Sequence, residues 1–136
     1  MNASLLLRIA AVISVLFATG HAMGGRKDWS PMGDTEVLKA MRTVRFEVMG
    51  VNRTYLDFFQ GFGHALTVAM LLQAVLLFQL ASFAKADPGA ARPMIASFVV
   101  ASAANGVVAW LFLFPIPAVF SAVLTVVLAL AFVVAG

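Results

Sequence analysis

From Pro93 to Gly136 the chain carries no charged side chain. As one helix those 44 residues would extend about 66 Å, against roughly 30 Å of bilayer hydrocarbon. Two crossings fit that length and one does not. The interruption falls at Phe114-Pro115-Ile116-Pro117, because two prolines in three residues remove backbone donors and clash with a preceding turn. Helices over about 93–114 and 117–135 follow, joined so tightly that they form an antiparallel hairpin. A soluble domain holds roughly 25% charged residues, whereas this chain of 136 residues is 11% charged and 62% hydrophobic. It is therefore read as an integral membrane protein, with the lipid bilayer as its first partner.

Two further crossings lie upstream. The stretch from Tyr55 to Ala84 opens on Tyr55, Asp57 and Gln60, passes Gly61-Phe62-Gly63-His64, and then meets no formal charge before Lys85. It predicts a helix over about 58–84. Asp87-Pro88-Gly89 after it has turn chemistry, and Pro93 suits the first turn of the next helix. The segment from Leu5 to Met23 is apolar except for Arg8. A signal peptide with a short apolar core and small residues at Gly20-His21-Ala22 is one reading. A retained helix over about 4–23, with Arg8 reaching to the near interface, is the other and is adopted here. Gly20 and Gly24, four apart, form a small-residue pair suited to close helix approach.

Between these crossings lie six basic residues (Arg26, Lys27, Lys39, Arg42, Arg45, Arg53) and five acidic ones (Asp28, Asp34, Glu36, Glu47, Asp57). Gly24-Gly25 and Ser30-Pro31 punctuate the start of this loop. Asp34 is the expected N-cap of an amphipathic interfacial helix over about 35–49, with Val37, Leu38, Met41, Val44 and Val48 at helical spacing. Gly50 and Asn52 are expected to end it. The fold class is thus an all-α membrane protein of four transmembrane helices plus one interfacial helix, forming a single domain over 1–136. Four crossings place both termini on one side. The count of positive charge puts the long loop inside, while its near-balanced charge and the signal-anchor look of residues 5–23 put it outside. The orientation adopted has both termini inside.

The run Arg45-Phe46-Glu47-Val48-Met49-Gly50, then Arg53-Thr54-Tyr55-Leu56-Asp57-Phe58-Phe59-Gln60-Gly61-Phe62-Gly63, resembles a family of small four-helix bacterial membrane proteins without assigned function. Leu76-Leu77-Phe78-Gln79-Leu80 is similar to that family as well. The family pattern more often has Trp or Tyr where this chain has Leu56, Phe59 and Phe78. The resemblance implies the four-helix architecture, a bacterial cytoplasmic membrane and a special role for the junction of loop and second crossing. It implies no activity.

His21 and His64 are the only histidines. The long loop joins the two helix ends that carry them, so they share a side of the membrane. One imidazole from each of two neighbouring helices is what a bis-histidine haem or a quinone pocket needs. The alternative is local hydrogen bonding by each ring at the interface. Arg53 and Asp57, four apart, would pair on a continuing helix. Asp57, Gly61 and His64 would then share a face with Gln60 close by, either as a titratable pocket mouth or as an ion pair fixing where the helix enters the membrane. Gln73 and Asn105 fall near mid-membrane, where an unpaired amide is costly, so they are expected to bond each other, another helix or backbone. Ser97, Ala101 and Asn105 form one small-residue stripe, and Ser102 with Gly106 another. Both read as packing faces.

Several classes are disfavoured. The chain has no cysteine, which removes disulfides, thiolate metal sites and thiol redox chemistry. No carboxylate lies inside a predicted crossing, which argues against a proton-coupled exporter. No phosphate-cradling loop or hydrolase motif is present, and no basic run suggests nucleic acid. The leading expectation is a non-enzymatic accessory subunit or oligomeric scaffold, partnered by other membrane subunits or by itself. A haem-, quinone- or lipid-binding protein using His21, His64, Asp57, Arg53 and Gln60 is the alternative. A minimal oligomeric transporter or channel lined by Gln73 and Asn105 is the third.

Overall fold

The computed structural model of the chain describes residues 2–24, 30 and 32–136. The expected loop features at Gly25, Arg26, Lys27, Asp28 and Pro31 lie outside the described residues. In chain order the elements are α1 (Ala3–Gly24), α2 (Glu36–Thr43), β1 (Arg45–Val48), β2 (Val51–Thr54), α3 (Tyr55–Ala86), α4 (Pro88–Phe112) and α5 (Pro115–Val134). Among the described residues, α1, α3, α4 and α5 are long and apolar enough to cross a membrane.

The boundaries follow local chemistry. Asp87 alone separates α3 from α4, and its Oδ1 accepts from Ala90 N at 2.9 Å. That cap starts α4 at Pro88, so Pro93 lies inside the helix instead of opening it. Pro115 and Pro117 both fall in the first turn of α5, where the backbone N–H has no partner within the helix and proline costs nothing. The two prolines therefore begin α5, with Phe114 as its N-cap.

The chain divides into two compact units, Met1–Phe17 with Leu71–Gly136, and Ala18–Met70. The core of the first takes one large, fully buried side chain from each of four helices, namely Leu7, Leu77, Ile95 and Leu128. Around them most of the buried positions are alanine, with Leu6, Leu80 and Leu124 among them. On α5, Ser121, Leu124, Leu128 and Ala131 are buried at alternating spacings of three and four, the pattern of a helix seam. On α4, Ala91, Ile95, Ser102 and Ala109 are buried. Gly106 lies on that same seam, where an added Cβ would sit 3.4 Å from Ser121 Cβ. The small residues let α4 and α5 approach closely. The expected Ser102/Gly106 packing face is this seam. In the same unit Phe17 stacks on Phe120, with centroids 4.8 Å apart, and the Arg92 guanidinium lies over Phe132.

In the second unit the expected amphipathic helix over 35–49 is corrected. Helix α2 stops at Thr43, and β1 pairs antiparallel with β2, Val48 opposite Val51 and Arg45 opposite Thr54. Met49 (φ 53) and Gly50 (φ 78) form the two-residue connection. Positive φ at both central positions is the turn that suits hairpin twist. The N-cap is likewise Thr35 and not Asp34. Thr35 Oγ1 accepts from Leu38 N, and Asp34 instead takes a 2.8 Å ion pair from Arg42.

Candidate functional site

The junction of hairpin and α3 is set by a reciprocal cap. Thr54 N donates to Asp57 Oδ2 at 2.9 Å, and Asp57 N donates to Thr54 Oγ1 at 3.0 Å. This is a capping box, which satisfies two otherwise orphaned donors at a helix start. It replaces the expected Arg53–Asp57 pair. Arg53 belongs to β2, not to a continuing helix, and its Nη1 donates to Asn52 O. From β1 an aromatic run leads onto α3, since the ring of Phe46 meets Tyr55 at 5.1 Å and Phe58 at 5.6 Å. Phe58 meets Phe62 edge-on at 4.9 Å. Rings one helical turn apart account for this ladder.

About two turns further along α3, His21 of α1 meets Thr67. Its Nδ1 lies 2.8 Å from Thr67 Oγ1, and that hydroxyl donates to Gly63 O at 3.1 Å. A Cβ at Gly63 would lie 3.9 Å from His21 Cε1, so the imidazole rests against the bare side of Gly63. A threonine hydroxyl has one proton. With that proton on Gly63 O, Nδ1–H is the donor to Thr67 and Nε2 is left as an acceptor. His64 follows Gly63, about 100° further round the helix, and is exposed. The structure therefore sets His21 on Thr67, not on His64. Asp57 is engaged by Thr54, and Gln60 is half-buried.

Gln73 and Asn105 do not meet each other. Gln73 Nε2 donates to Ser14 Oγ on α1 at 3.2 Å, and Ser14 passes its own proton to Ala10 O. Asn105 Nδ2 donates to Ser121 Oγ on α5 at 3.3 Å. One turn along that seam the Thr125 hydroxyl lies 2.9 Å from Ser102 Oγ and 2.7 Å from Ser121 O. Of the expected outcomes for these amides, the bond to another helix is the one seen. Sequence reasoning missed Thr67, Ser14, Ser121 and Thr125 as partners, because hydroxyl residues in apolar helices carry no mark of which helix they face. Thr54 was missed as well, although the Thr-x-x-Asp spacing of a capping box is a signal that could have found it.

Among the described residues no buried side-chain polar atom lacks a partner, and no group of three or more His, Cys, Asp or Glu is placed to hold a metal ion. Comparison with protein-family models, with curated proteins and with solved structures finds no match.

Proposed function

We propose that this protein is a non-enzymatic membrane component, an accessory subunit or an oligomeric scaffold. One observation carries the reading: three polar side chains inside the apolar helices are spent on neighbouring helices. Gln73 is spent on Ser14, Asn105 on Ser121 and Thr125 on Ser102. Groups used this way hold helices together and leave little to act on a substrate. Meanwhile large apolar side chains face outward on every crossing, among them Leu16, Phe62, Leu72, Trp110, Phe112 and Val126. Purification in mild detergent tests this, with an oligomer or a co-purifying membrane polypeptide expected. A strictly monomeric species without a partner contradicts it.

A second reading is favoured by the relay from His21 through Thr67 to Gly63. An imidazole fixed through Nδ1 presents Nε2 in a set direction, as haem iron or a hydrogen-bonding quinone requires. An optical spectrum of the purified protein tests the haem form. A Soret band lost on His21→Ala supports it, and its absence from the parent protein removes it.

A further inference from the structure

We infer that a second copy of this chain docks along the free edge of β1, extending the hairpin to a four-stranded antiparallel sheet across a two-fold axis at Phe46. The inference rests on the scaffold reading and names its contact. The two-residue connection makes Val48 and Val51 a hydrogen-bonded pair. By alternation Phe46 and Arg53 form the next one, so the N–H and C=O groups of Arg45 and Glu47 point away from β2, as do those of Asn52 and Thr54 from β1. The outer edge of β2 is already occupied by its own chain. Thr54 N is taken by Asp57, Asn52 O by Arg53, and α2 packs against this strand. Among the described residues no hydrogen bond or packed element covers the outer edge of β1 in this way, and Arg45, Glu47 and Val48 are exposed. An unpaired strand edge is a template for another strand.

Charge selects both the occupant and the register. Two antiparallel copies of β1 centred on Phe46 place Arg45 opposite Glu47 of the second copy, and Glu47 opposite its Arg45. Each is then a hydrogen-bonded pair of opposite sign. Moving the axis by one residue either way sets Arg45 opposite Arg45 or Glu47 opposite Glu47, which repel. Both groups have capacity to spare. Among the described residues the Arg45 side chain makes one hydrogen bond, from Nε to Asn52 Oδ1 at 2.6 Å, beside a longer-range attraction to Asp57, and Glu47 makes no side-chain hydrogen bond or ion pair. On the other face the axis brings Phe46 against its own copy, continuing the aromatic run.

The test uses the full chain, which contains no cysteine. Arg45→Glu and Glu47→Arg each turn two attractive pairs into two repulsive ones. Each is expected to raise the dimer dissociation constant in mild detergent by about tenfold or more. The double variant Arg45→Glu/Glu47→Arg swaps the charges and is expected to regain the parent value. In membranes, Phe46→Cys should form a disulfide-linked dimer on oxidation, because a non-hydrogen-bonded pair sets Cα atoms about 4.5 Å apart. Val51→Cys on β2 should not. A parent oligomer that both single variants leave unchanged, with no link at Phe46→Cys, overturns the β1 contact and leaves the scaffold reading standing. A parent that is monomeric and partnerless by both measurements overturns the two together. A different polypeptide, lost on Glu47→Arg and not regained by the double variant, assigns the edge to that partner and overturns the second copy.

Discussion

Met49 holds φ 53 without being glycine, beside Gly50 at φ 78. Neither residue is restrained by packing, since Met49 is 98% exposed and a Cβ at Gly50 would meet nothing within 4 Å. Backbone preference alone then sets the cost of substitution. Gly50→Val is expected to destabilise the hairpin by about 1–2 kcal/mol, while Met49→Asn should tighten it, because asparagine tolerates the left-handed region. Hydrogen exchange at the Val48 and Val51 amides reads both effects, with protection falling in the first variant and rising in the second. This turn was hard to see in the sequence for a physical reason. Val44 and Val48 lie four apart and fit a helical face, while Phe46 and Val48 lie two apart and fit a strand face. So short a run satisfies both periods. His21 offers a second test at this scale. Thr67→Val removes the acceptor at Nδ1, and a loss of about 1 kcal/mol in stability is expected. In the parent protein, nitrogen NMR should find the proton on Nδ1, and in the variant that preference should be lost.

At the scale of elements, the start of α3 and the seam of α4 with α5 were legible to different degrees. The four helices long and apolar enough to cross a membrane followed from charge-free length and proline position, with α4 shifted because Asp87 caps it ahead of Pro93. The small-residue face of α4 was legible at Ser102 and Gly106, whereas its complement, Ser121 and Thr125 on α5, was not. The seam tolerates little added volume, since a Cβ at Gly106 already approaches Ser121 Cβ to 3.4 Å. Gly106→Val is therefore expected to cost about 1–3 kcal/mol through overpacking. Gly61→Val is the control on α3, since a Cβ at Gly61 would meet nothing within 4 Å. Unfolding of the two variants in mixed micelles should separate them. For the junction, Thr54→Ala removes one half of the capping box and is expected to cost about 1 kcal/mol, read as lost exchange protection in the first turn of α3.

At the scale of the molecule, α1 decides whether three or four helices long and apolar enough to cross a membrane remain in the chain. A segment with one arginine and small residues near its end is compatible with removal as a signal peptide, and sequence alone left that open. The packing argues the other way. Leu7, Ala10 and Ala11 are fully buried among Leu77, Ile95 and Leu128, and Ser14 receives the Gln73 amide. Cleavage near Gly20 would strip one of four contributors from the core and leave an unpaired amide in an apolar helix, at a cost of roughly 1–3 kcal/mol for the amide alone. Peptide mapping of the membrane-extracted protein is therefore expected to recover the α1 segment. If α1 is retained and all four apolar helices cross, the number of crossings is even, and Asn2→Cys and Gly136→Cys should react with an impermeant thiol reagent from the same side of the membrane. Labelling of the two positions from opposite sides would mean an odd number of crossings. The first candidate to fail would then be α1, whose apolar stretch is interrupted by Arg8.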